Sequence, residues 1–239
     1  MSVDQFIARL RETGVNCNIA NPYNCFVENI DQTAEACCQR NLQLSAYLKH
    51  RLESARFILI AEAPGFQGAR FTGVAMTSER LLSNAQGFVT ERDILGQEGL
   101  FSRTSHANAC RNQAERQLGF TEPTASIVWR AIMEGHRADE VVLWNTFPFH
   151  PYRGDYPLTN RKPTLEEINY HAGILADLRG LFRANCRVVA IGNVARDHLN
   201  HLNVDATHIR HPANGGAPDF RRDIEKLFIR AECQRKIRK

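Results

Sequence analysis

Three short apolar runs and a fourth, more polar strand, separated by stretches of helical periodicity, set out the architecture of this chain. Phe57-Ile58-Leu59-Ile60-Ala61 is apolar at every position, which fits a strand covered on both faces, and Pro64-Gly65 stops it. Comparable runs follow at Glu140–Asn145 and Arg187–Ile191, and a short fourth strand, more polar, is read at Ala206–Arg210 before His211-Pro212. Val3, Phe6, Ile7 and Leu10 fall at i, i+3, i+4 and i+7 and predict an N-terminal helix. Residues 15–30 read as loop, and 31–53 as helix, with Ala46, Tyr47, Leu48 and Leu52 able to share a face. Thr77 or Ser78 caps a helix whose first turn holds Glu79. Residues 83–120 are polar and read as a surface excursion with one or two short helices. Thr121-Glu122-Pro123-Thr124 opens a helix with Ile127, Val128, Ala131 and Ile132 inward and Gly135 at its end. Thr164 and Glu167 form a capping box for the next helix, which is predicted to run to about Phe182. Another starts behind Gly192-Asn193, and a last one near Ala217-Pro218-Asp219 carries Phe220, Ile224, Leu227 and Phe228 on one face. Strands alternating with helices argue for an α/β fold with a parallel sheet covered on both sides. Residues 1–54 are expected to be a helical extension packed on an α/β domain of residues 55–239.

Composition narrows the class without naming a chemistry. At 239 residues, 43% hydrophobic and 23% charged, the chain is long enough for a full core. No apolar stretch approaches the ~20 residues of a membrane span, and the first residues lack the pattern of a signal peptide, so a cytoplasmic location is expected. Seven scattered cysteines without a C-x-x-C pair suit reduced thiols better than a disulfide framework. The net charge of +4 is concentrated: residues 221–239 hold eight Lys/Arg against three Asp/Glu. A basic last helix can follow a phosphate backbone, or can simply be a solvated end.

Three of the four strand ends deliver a polar side chain to one rim: Glu62, Asn145 and His211. In parallel sheets ligands bind beyond the carboxyl ends of the strands. No Ser or Cys sits in a nucleophile elbow, and no second acid stands at a comparable strand end, which argues against acyl transfer and against a two-carboxylate glycosidase. An Asn amide presents a donor and an acceptor side by side, the pattern that reads the Watson–Crick edge of a pyrimidine. The glycine-rich loop Gly65–Gly73 could bring backbone N–H groups close to a phosphate, but it has neither G-x-G-x-x-G nor the Lys-Ser/Thr of a P-loop.

Ala-Glu-Ala-Pro-Gly (61–65), Asn145, Asn-Arg-Lys-Pro-Thr-Leu-Glu-Glu-Ile (160–168), Val-Val-Ala-Ile-Gly-Asn-Val-Ala (188–195) and His-Pro-Ala (211–213), in that order, resemble the uracil-DNA glycosylase superfamily. The likeness covers about residues 55–230 and is greatest to the members called family four, whose first motif reads G-E-A-P-G. It implies a three-layer α/β/α sandwich around a four-stranded parallel sheet, and hydrolysis of the N-glycosidic bond of uracil flipped out of DNA to leave an abasic site. On that resemblance Asn145 recognises the uracil edge, and His211 stabilises charge developing on O2. Glu62 orients or activates water, and Ala61 and Ala63 flank it against the substrate. The aromatic that stacks on the base matches Phe71 when counted from the first motif, and Met76 when counted back from the following helix. A π face favours Phe71. Arg153, Arg161, Lys162 and the loop Asn214-Gly215-Gly216 are expected at the DNA, and that loop lacks the bulky wedge of other members. Ala63 stands where the most active members carry an aspartate, so slower turnover, or a relative that binds uracil or abasic DNA without cleaving it, is the alternative. A third possibility is another nucleotide-handling enzyme that uses the glycine-rich loop. The cysteine spacing departs from the iron–sulfur pattern of family four, so neither cofactor nor metal is expected, and a monomer would leave the DNA-facing rim free.

Overall fold

The structure, a computed structural model, describes residues 1–135 and 137–237, with side chains as far as Cys233. Its centre is a parallel sheet of β2 (Phe57–Ala61), β3 (Val141–Asn145), β5 (Arg187–Ile191) and β6 (Thr207–Ile209), in the order β3-β2-β5-β6. Every residue of β2 and β3 is buried, the condition of strands with both faces covered. The two edge runs are shorter than the sequence suggested. Glu140 instead supplies the carbonyl that accepts from Arg56 and Phe57.

The helices follow the apolar stripes. α1 (Val3–Glu12) has a capping box between Ser2 and Gln5 and buries Val3, Phe6, Ile7 and Leu10 against α2 (Ala36–Arg51) and α8 (Leu165–Gly180). α7 (Pro123–Glu134) buries Val128, Trp129 and Ile132, and packs on α10 (Ala217–Ile237). α9 (Gly192–His201) lies along β2, β5 and β6. The Thr164–Glu167 capping box forms reciprocally at the start of α8. Among the described residues, no helix is long and apolar enough to cross a membrane.

Two expectations need correction. The stretch 15–30 is not all loop: β1 (Ile19–Ala20) pairs with β4 (His150–Pro151) and ties the N-terminal segment to the loop after β3. Residues 83–120 are a surface excursion only in part: the expected short helices are there and many residues are exposed, but the stretch also sends side chains inward. After the short helices α3 (Ala69–Thr72) and α4 (Glu79–Leu82), this part of the chain holds α5 (Glu91–Leu95) and α6 (Gln113–Leu118), and Val89, Ile94, Leu95 and Phe120 are buried. The physical reason is Glu79, whose buried carboxylate accepts from the backbone N–H groups of Thr104, Ser105 and Phe120 and from the Ser105 hydroxyl (2.6–3.1 Å). A polar segment can be internal when its polar groups satisfy one another.

Candidate functional site

The carboxyl ends of β2 and β3 and the turn after β6 open onto a cavity of about 330 Å³. The chain order places it there. β2 to β3 runs one way across the sheet and β5 to β6 the other, so the direction reverses beside β2, where parallel sheets leave a crevice. Ala61 lies directly opposite Asn145 in the β2–β3 register. Pairing continues past the strands through Thr146 N–H to the Ala61 carbonyl (2.8 Å) and Phe147 N–H to the Glu62 carbonyl (3.0 Å). The Glu62 carbonyl also accepts from the Thr146 hydroxyl (2.8 Å), so the Ala61-Glu62 turn and Asn145 are held as one rigid unit.

Glu62, Asn145 and His211 all line this cavity, as do Ala61, Ala63 and Met76. Asn145 is 3% exposed, and its amide makes no hydrogen bond among the described residues, so both its donor and its acceptor are available to an occupant. The Glu62 carboxyl is likewise unpaired. Burial pushes its pKa above the usual carboxylate value, against the attraction of Lys162. Nδ1 of His211 accepts from the Ala213 N–H (3.1 Å), which fixes the proton on Nε2. Burial first, and Arg210 second, hold this imidazole below its ordinary pKa. At neutral pH it is therefore an uncharged N–H donor. Gly192, at φ +83°, leaves no room for a Cβ, which would meet the His211 Cβ at 2.8 Å.

The remaining expected residues divide. Met76 reaches the cavity from a left-handed backbone position (φ +49°), held by Thr72, whose hydroxyl donates to the Thr77 carbonyl (2.8 Å). Phe71 does not line the cavity. Its ring is stacked on Phe120 (centroids 4.9 Å apart, planes 10° apart) in a separate small core cluster, because α3 turns it away from the strand ends. Arg153, Arg161 and Lys162 line the rim, but Arg161 is committed to a bidentate pair with Glu167 (2.7 and 2.8 Å). That leaves Lys162 and Arg153, both exposed, as the cations facing outward, although Arg153 Nε donates to the Asn160 carbonyl (3.1 Å). Asn214 and Gly215 form an exposed tip away from the cavity lining. Gly216 is buried under it, and a Cβ there would stand 2.0 Å from the His211 carbonyl oxygen, so its glycine is explained by packing on the His211 loop. No described residue of α10 lines the cavity. The side chains of Arg235 and Lys236, and residues Arg238 and Lys239, on which part of the basic-helix expectation rests, lie outside the described set.

Two residues of the site had no signal in the sequence reading. His150, fully buried, lies with Nδ1 2.8 Å from the Pro64 carbonyl and Nε2 3.0 Å from the Pro157 carbonyl, joining the Glu62 turn to the 152–163 loop. Burial lowers its pKa to about 4, so it is neutral and donates through one nitrogen at a time. Glu122, the residue before α7, also lines the cavity, and its Oε2 is sealed from solvent without a hydrogen-bond partner. The Pro at N1 predicted the helix start, but nothing in the pattern distinguished the carboxyl before it from an ordinary cap.

All seven thiols are free, and among the described residues no three His, Cys, Asp or Glu side chains group where a metal ion could sit.

No protein-family model matches the sequence, and no curated protein matches it. Among solved structures, the fold is similar to that of wild-type SMUG2 from Pedobacter heparinus, with a TM-score of 0.59 at 13% sequence identity, covering 98% of this chain and 98% of that one. The likeness takes in the N-terminal helices as well as the sheet, and the fold is of the uracil-DNA glycosylase type.

Proposed function

We propose that this chain is a monofunctional uracil-DNA glycosylase, which accepts a uracil extruded from DNA and hydrolyses its N-glycosidic bond. The observation that carries the reading is the pairing of an unpartnered Asn145 amide with a neutral His211 Nε2–H donor at one cavity. The SMUG2 protein that shares the fold is a glycosylase of the uracil-DNA glycosylase superfamily, which agrees with it.

In the proposed reaction Asn145 accepts from uracil N3–H and donates to O4. Cytosine would place an amine against that donor, and such mismatched buried contacts discriminate by several orders of magnitude. Glu62, as the carboxylate, takes a proton from a water whose oxygen forms the new bond to C1′. The C1′–N1 pair leaves with the base, and His211 donates to O2 as charge develops there, a contribution of roughly 3–4 kcal/mol at comparable sites. Met76 packs against the base and takes the place expected of Phe71. Lys162 and Arg153 contact the phosphate backbone. With Ala63 beside Glu62, water activation rests on Glu62 alone.

Ala63 also favours the second reading, a relative that binds uracil or abasic DNA without turnover. An oligonucleotide with one deoxyuridine, treated with alkali after incubation, separates the two. Strand scission supports the glycosylase, whereas a retarded complex without scission supports the binder. Neither result would remove both.

A further inference from the structure

Resting on that reading, we propose that Glu122 is a specificity-determining residue of the same site, whose carboxyl, as the neutral acid, donates a hydrogen bond to a carbonyl oxygen of the extruded base. The carboxyl belongs to the cavity wall and has no hydrogen-bond partner among the described residues. Its residue precedes α7, yet the side chain makes no capping bond, and among the described residues no Lys or Arg pairs with it. It rests on the turn after the Glu62 motif: a Cβ at Gly68 would fall 1.9 Å from Oε2, and one at Gly65 3.6 Å from Oε1. Glycine at 68 therefore makes the space the carboxyl occupies.

A buried, unpaired acceptor costs stability, and an ionised one costs far more, so a residue that only filled this wall would be better as an amide or a hydrocarbon. The charged groups around the cavity do not relieve it. Glu62 on the β2 turn is of like sign, Arg161 is taken by Glu167, Lys162 faces Glu62, Arg153 bonds the Asn160 carbonyl, and His211 is uncharged. Burial alone raises the Glu122 pKa from 4.5 to about 7. The protonated carboxyl offers an O–H that complements a carbonyl, whereas the carboxylate would repel a carbonyl and attract an exocyclic amine. Ionisation of Glu122 thus removes a contact to uracil and weakens discrimination against cytosine.

The test is uracil release from a deoxyuridine oligonucleotide between pH 6 and 8, for wild type, Glu122→Gln and Glu122→Met, each checked for folding by circular dichroism. With a midpoint at about 7, the wild-type rate is expected to fall about tenfold across that range. Glu122→Gln keeps a donor of the same shape and loses the decline. Glu122→Met keeps the volume without a donor, and is slower than wild type at pH 6 by about tenfold or more. A decline identical in wild type and Glu122→Gln, or a Glu122→Met rate equal to wild type at pH 6, would overturn the role of Glu122 and leave the glycosylase reading standing. Absence of uracil release by wild type at every pH would overturn both.

Discussion

Replacing Glu122 by Gln should stabilise the folded protein, and only above the pH at which an ordinary carboxyl ionises. The Glu122 pKa is raised from 4.5 to about 7 by burial, so between these values the folded chain holds a proton that the unfolded chain has released. Stability therefore falls as pH rises through this window, and the full cost is present above about 7. At roughly 1.4 kcal/mol per pH unit the cost is at most about 3.5 kcal/mol. That is a large part of the roughly 5–15 kcal/mol by which folded domains are stable. Gln has the same shape and cannot ionise. Urea denaturation of both proteins at pH 5 and pH 8 isolates the effect, because the other titrating groups act equally on each. The expected result is a difference of less than about 1 kcal/mol at pH 5, with Glu122→Gln more stable by up to about 3.5 kcal/mol at pH 8, or a rise in Tm of roughly 7–14 °C. An equal difference between the two proteins at both pH values would refute the reasoning, since it would mean that the Glu122 carboxyl is solvated or paired.

Other consequences follow from particular contacts. Arg51 is fully buried and donates only to carbonyls, those of Tyr47, Asp93, Ile94, Ala138 and Val141. Arg51→Ala strands these acceptors and is expected to cost about 3–5 kcal/mol in chemical denaturation. Gly216→Ala puts a Cβ on the His211 carbonyl and must displace the His211 loop, so uracil release should fall by at least about tenfold while circular dichroism stays native. Lys162→Ala should lower the slope of log affinity for DNA against log salt by about one, measured by fluorescence anisotropy. It also withdraws the charge that opposes desolvation of Glu62, so the rising limb of the pH–rate profile moves to higher pH. His150, neutral when folded with a pKa of about 4, contributes stability above the ordinary histidine pKa of 6.5 that is lost as pH falls toward 4. His150→Asn should flatten that acid limb in thermal denaturation.

The centre of the sheet was legible because β2, β3 and most of β5 are buried and read as apolar runs, whereas β6 exposes Thr207 and His208 and was placed only by its position before His211-Pro212. The long helices were legible because their apolar stripes keep a 3.6-residue period. Strand ends then located Glu62, Asn145 and His211 without any contact information, since a parallel sheet puts all its carboxyl ends on one rim. What was hidden had no periodic signature. β1 and β4 are two residues each and exist through one another's hydrogen bonds. Part of the polar stretch 83–120 turns inward around Thr104, Ser105 and Phe120 because Glu79 gathers their three backbone N–H groups, a long-range fact invisible to local composition. The same limit separates Phe71 from Met76. Counting along the chain could not settle which side chain points to the cavity, because a four-residue helix and the left-handed backbone at Met76 lie between the motif and the next helix. The burial of Arg40, Arg51 and Arg70 has no local signature for the same reason: their partners are distant carbonyls and a single carboxylate, Asp31.

The most direct test of the account is detection of free uracil by mass spectrometry in a single turnover on a deoxyuridine oligonucleotide, with wild type, Asn145→Ala and His211→Ala compared. The account predicts release by wild type, slowed by roughly 10²–10³-fold in His211→Ala, where one donor to the departing oxyanion is lost. It predicts at least as great a loss in Asn145→Ala. Release by either variant at the wild-type rate would contradict the roles given to these strand-end residues, and no release by wild type would contradict the chemistry itself.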